Sequence, residues 1–132
     1  MTLVIRILLG ILMLTEACLQ ASAECHAWGG NPGRPNSATV PCVLQVQDMN
    51  HFTVQVGTQE PLYFVRRSPA PAEFTLTGEW ASSNYECPVG LTHDETITID
   101  QRGLSFTATK ITGDECVTAG HVTFYGALVR AR

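Results

Sequence analysis

The chain predicts an all-β fold, a small antiparallel β-barrel or sandwich of about seven or eight strands with two disulfides. Three observations carry this. Apolar and polar residues alternate over several short segments, and turn-forming residues separate those segments at roughly 8–12-residue spacing. No stretch of about ten residues or more keeps the 3.6-residue period of an amphipathic helix, so the mature chain is expected to hold none. A closed barrel is the preferred form, because closure removes the edges a secreted monomer would otherwise have to blunt.

The first segment, residues 1–23, reads as a signal peptide. Met1 to Arg6 supply a short basic start, residues 7–14 ("ILLGILML") an apolar run, and "TEACLQASA" a polar stretch ending in small residues. Ala21-x-Ala23 is then the cleavage signature and Glu24 the first mature residue. The apolar run is far short of the roughly 20 residues a membrane-spanning helix needs, so no membrane span is expected after signal removal. A lipid anchor on Cys18 is the alternative, and the charged Glu16 just before it suits that badly.

The second segment, residues 24–41 ("ECHAWGGNPGRPNSATVP"), is crowded with Gly, Pro, Asn and Ser and is expected to be a loop rather than a helix or strand. From Cys42 to Arg132 the period becomes two, and this is the expected barrel domain. "VLQVQD" sets Leu44 and Val46 against Gln45 and Gln47, and "FTVQV" sets Phe52, Val54 and Val56 against Thr53 and Gln55. "FTLTGEW" alternates Phe74, Leu76, Gly78 and Trp80, while "TITID", "LSFTA" and "VTFYGALV" continue the pattern through Ile97, Ile99, Leu104, Phe106, Val122, Phe124 and Leu128. Successive strand side chains point to opposite faces, so each segment has one dry face. "DMN" and "DQRG" fit tight turns, with Gly103 free to take a positive φ, and "SPAPAE" is a longer connection.

Cys18 leaves with the signal, and Cys25, Cys42, Cys87 and Cys116 remain. An even number in a small exported domain implies disulfides. Three pairings are possible, of which Cys25–Cys42 and Cys87–Cys116 are expected because each closes a local loop. A bridge of this kind is worth about 2–4 kcal/mol. The formal net charge is −4, and Arg66-Arg67 is the one adjacent basic pair, which excludes the basic stripe that nucleic acid requires.

Candidate chemistry is sparse. His93, Asp94 and Glu95 stand side by side in "GLTHDET", but neighbouring strand residues diverge, so a solvated turn before a strand is expected instead of a metal site. Asp114-Glu115 and Asp100 lack the spacing of a calcium loop. No Gly-x-Ser-x-Gly elbow occurs, paired cysteines offer no thiolate, and His26, His51, His93 and His121 are scattered. No catalytic residue, metal or cofactor is therefore assigned, and the chain is read as not an enzyme. Trp80 continues an inward row and belongs to the core. Tyr85 ("SSNYEC") sits in a polar setting, and Trp28 lies in the Gly/Pro segment, where it either caps the barrel or is presented for contact. With a Cys25–Cys42 bridge that segment becomes a stapled loop carrying Arg34 before Pro35. Candidate ligand contacts are thus Trp28, Arg34, Tyr85, His93 and Asp114.

The run "GLSFTATKITGDECVTAGHVTF" resembles a stretch of the substrate-binding β-barrel of the cyclin-binding F-box proteins and the plant EXECUTER proteins, through Lys110, Thr112, Gly113, Asp114, Ala119 and Gly120. With "GEW" and "TITIDQRG" before it, the likeness covers residues 78–128. The chain departs from that pattern at Cys116 and Thr118 and has no F-box, so a ubiquitination role is not carried over. The resemblance implies a barrel and a module that binds peptide segments.

The functional expectation is a secreted or periplasmic, non-enzymatic binding module for a peptide, protein or glycan. The alternatives are a protease inhibitor using the 25–42 loop, a small hydrolase, or a structural envelope protein.

Overall fold

A computed structural model describes residues 21–28, 39–86, 92–113 and 118–129, with the backbone alone at Trp28, Glu86 and residues 92–94. Eight strands follow in chain order: β1 (Ser22–Trp28), β2 (Thr39–Asp48), β3 (His51–Val56), β4 (Leu62–Arg66), β5 (Gly78–Glu86), β6 (Thr92–Arg102), β7 (Ser105–Lys110) and β8 (Val122–Val129). Each pairs antiparallel with the next, and β1 also pairs with β8, so the meander closes into a barrel. Closure is the outcome expected from the sequence in preference to a sandwich.

The alternation read from the sequence becomes the inside and outside of the barrel, except at Leu104, which lies in the β6–β7 turn, and Val122, the first residue of β8, both of which are exposed. Leu44, Val46, Phe52, Val54, Ile97, Ile99, Phe106, Ala108, Phe124 and Leu128 are all buried. Phe52 is the hub of the interior, stacked on Phe64 at 4.9 Å between ring centroids and edge-on to Trp80 at 4.6 Å. The Trp80 indole N–H donates to Leu76 O at 2.9 Å, so this wholly buried ring has its one polar group satisfied. Aromatic side chains fill the interior, as in other small barrels whose lumen is packed.

Residues 24–41 are not a single loop. "SAECHAW" forms β1 and "TVP" opens β2. The Gly/Pro crowding that predicted a loop is confined to residues 29–37. On either side of it the same segment hides a period-two row of small residues, with Ala23, Cys25 and Ala27 buried while Glu24 and His26 are exposed. Pro41 is accommodated in β2 because its carbonyl accepts from Gly57 N at 3.2 Å, a bond that needs no N–H from proline. The boundary expected after Ala23 therefore falls inside β1.

Cys25 and Cys42 are directly opposite each other across β1 and β2 and are disulfide-bonded, with Cα atoms 4.8 Å apart. Both are buried, so the bridge lies on the inner face and three further register pairs continue beyond it to Trp28 and Thr39. The expected Cys87–Cys116 pair lies outside the described residues. Gly126 allows β8 to approach β1 here: a Cβ on it would meet Glu24 O at 2.6 Å and the Cys25 Cβ at 3.0 Å.

A second correction concerns "FTLTGEW". The strand begins only at Gly78, and residues 74–77 run irregularly across the end of the barrel. Leu76 is fully buried there and Phe74 packs on the core, which is why the apolar spacing read as a strand. Side chains rather than a ladder satisfy this backbone. Leu76 N donates to Gln101 Oε1 at 2.7 Å, and Arg66 donates to Met49 O, Thr77 O and Thr75 O at 3.0, 3.1 and 2.7 Å. The Arg66 guanidinium also lies 4.2 Å from the Trp80 ring centroid. The base of the barrel is thereby plugged.

Candidate functional site

Antiparallel order sends alternate connections to opposite ends. The base carries the short β2–β3 and β6–β7 turns and the plug between β4 and β5. The other end, the rim, carries the connections 29–38, 57–61, 87–91 and 111–121. Three of the five candidate contacts named from the sequence stand at strand ends on this rim. Trp28 is the last residue of β1, and Tyr85 and His93 are register partners at the ends of β5 and β6. Arg34 and Asp114 lie outside the described residues, within two of the rim connections.

His93, Asp94 and Glu95 are part of β6, not of a turn before it. The expectation of a solvated turn fails because the strand is longer at its start than "TITID" indicated. Among the described residues no group of three His, Cys, Asp or Glu side chains could hold a metal ion.

The rim's inner wall holds charges that the sequence reading missed. Lys110 Nζ donates to Glu95 Oε1 at 3.2 Å, with side-chain exposures of 1% and 6%. Lys110 Nζ also lies 4.9 Å from the Tyr85 ring centroid. An ion pair removed from water recovers its desolvation cost only when its geometry is good and its other polar positions are satisfied, so it is weak evidence of a stabilising device. The signal for both residues was available. Lys110 is the next inward position after Phe106 and Ala108, and Glu95 precedes Ile97 and Ile99 in the same row. A charge at a position where the period demands an apolar residue announces a buried partner.

Tyr85 reaches Lys110 because β5 breaks register between Ser82 and Tyr85. An extra residue of this kind bends a strand and re-aims its side chains. Asn84, within the irregularity, binds the neighbouring strand where the β4–β5 ladder has ended: Tyr63 N donates to Asn84 Oδ1 at 3.0 Å and Asn84 Nδ2 donates to Pro61 O at 2.9 Å. Ser82 Oγ adds a 2.8 Å bond to the same Oδ1. Bulge, amide clamp and buried charges thus occupy one arc of the rim, over β4 to β7.

No helix among the described residues is long and apolar enough to cross a membrane. No protein-family model matches the chain, and no curated protein or solved structure matches it significantly.

Proposed function

We propose that the protein is an exported, non-enzymatic binding module that takes a peptide, protein or glycan segment at the rim of the barrel. The asymmetry of the two ends carries this reading. One end is closed by Arg66, Phe74 and Leu76, the interior is filled with aromatic rings, and Tyr85 and the buried Lys110–Glu95 pair stand at the opposite end. Among the described residues the interior is packed with apolar and aromatic side chains, which favours recognition at the rim. A rigid barrel beneath such loops lowers the ordering cost of binding. The likeness of residues 78–128 to a substrate-binding barrel leads the same way.

The test uses the oxidised protein on peptide and glycan arrays. Wild-type protein is expected to hold a defined subset of spots without releasing product, and Tyr85→Ala to weaken that capture at least tenfold while the melting temperature changes little. Capture that survives Tyr85→Ala but is lost on changing exposed Arg102 at the base would overturn the assignment to the rim. Turnover of any captured spot would replace the binding module with a hydrolase.

A narrower reading is a protease inhibitor, favoured by the Cys25–Cys42 bridge and the three register pairs that carry the 29–38 connection on a cross-linked hairpin. Stoichiometric loss of protease activity, abolished when residues 29–38 are replaced by a short glycine turn, would establish it. Persistence after that replacement would exclude it.

A further inference from the structure

We infer that the export leader is removed at the Ala17–Cys18 bond, upstream of the Ala21-x-Ala23 signature, so that the mature chain begins at Cys18. This rests on the reading of the first residues as an export leader, which is part of the proposed function. The argument comes from what β1 does. Ser22 pairs with Gln45 on one side and Val129 on the other, and Ala23 with Leu44 and Leu128. Ala21 O accepts from Val46 N at 2.8 Å. Ala23 is 2% exposed and belongs to the core, against which Ala21 also packs.

A chain cut after Ala23 would lack all of this. β1 is the strand that joins β2 to β8 and closes the barrel. Its loss as far as Glu24 would leave Leu44, Gln45, Leu128 and Val129 without their partners on the β1 side, Val46 N without its acceptor and a void in place of the Ala23 methyl. It would also place a new terminal ammonium next to buried Cys25. Unpaired strand edges and unsatisfied buried backbone groups each oppose folding. The bond must therefore lie before Ala21. Within residues 15–20 the small-x-small pattern that leader peptidases read occurs once, as Thr15-Glu16-Ala17, directly after the apolar run. The reaction is hydrolysis of one amide by a host leader peptidase: water adds across the Ala17–Cys18 bond, leaving a carboxylate on Ala17 and an amine on Cys18.

The test is N-terminal sequencing and intact mass of the exported product, made from the full chain in a secreting host. A product beginning at Cys18 is expected; any other first residue in the exported protein, Glu24 above all, overturns the inference. A product that keeps its leader inside the cell overturns the export reading beneath it instead. Ala17→Phe places a bulky side chain beside the assigned bond and should slow processing at least tenfold, with precursor accumulating; unchanged processing to a Glu24 start would refute the assignment. The physical premise has its own readout. A chain starting at Cys18 and carrying Cys18→Ser should melt at least about 5 °C above one starting at Glu24, and equal melting temperatures would remove the reason for an upstream cut.

Discussion

Arg66 and Arg67 are adjacent in sequence and opposite in role. Arg67 is exposed, while Arg66 is 8% exposed and turned inward beneath Trp80. Burial pulls the Arg66 guanidinium below its ordinary range, yet an arginine remains charged throughout the accessible pH range. Its three carbonyl acceptors on two separate connections hold the plug in place. A lysine carries the charge but not the planar fork. Arg66→Lys is therefore expected to cost about 2–4 kcal/mol in urea unfolding, and a loss below about 0.5 kcal/mol would show that the plug does not depend on it. A basic pair reads as surface until the period of the strand ending there is known, so the difference between these neighbours was not legible. Trp80 was the opposite case: its two-residue spacing after Phe74, Leu76 and Gly78 marks it as core, and it is wholly buried.

The elements that could be read were those with a clean period and an unmistakable turn. Gly103, with φ +62°, closes the β6–β7 hairpin as its position in "DQRG" requires. Failure came in two forms. In residues 74–77 an apolar row of the right spacing packs on the core without joining a ladder, and spacing alone cannot separate those outcomes. In β1 the inward row is Ala, Cys and Ala, too small to register as apolar alternation beside a Gly/Pro run. Trp28, Tyr85 and His93 stand out in the sequence by polarity or aromaticity, and antiparallel order sets them at one end; the buried Lys110–Glu95 pair does not stand out, because Lys and Glu ordinarily lie at the surface.

The β2–β3 turn offers a check at this scale. Asp48 accepts from Asn50 N at 2.8 Å and is paired with His51 Nδ1 at 2.7 Å. The Asn50 N–H first, and His51 second, hold its carboxyl below the ordinary value of 3.8. A depressed carboxylate stabilises the fold above its unfolded-state value and loses that contribution as pH falls through the folded one. Wild-type stability should accordingly drop below about pH 4, and Asp48→Asn should be less stable at pH 6 with a shallower acid loss. Both groups are half-exposed, so the difference is small. Parallel pH profiles for the two proteins would rule out the turn as a contributor.

At the scale of the whole molecule, β1 closes the barrel and the Cys25–Cys42 bridge ties it to β2. The Cys25–Cys42 sulfurs are inside, with 2% and 3% exposure at the two residues, so a reductant meets them only when the barrel opens. Mild reductant is expected to leave the bond intact in the folded protein and to break it rapidly in denaturant, as read by thiol labelling. Cys25→Ala with Cys42→Ala should lower stability by about 2–4 kcal/mol. Rapid labelling of both thiols without denaturant would show that β1 detaches on its own. All-β class, closure and disulfide were legible because period and cysteine count are global properties. The register that puts the bridge inside was not, since it depends on which face of a small-residue strand the neighbours accept.

Ser22 and Val129 are register partners at the plugged base. Chain arriving at β1 and chain departing from β8 therefore meet at a single point, on the side away from Tyr85. The barrel can be spliced into a host polypeptide, or strung in tandem copies, through that one attachment without covering the proposed binding rim.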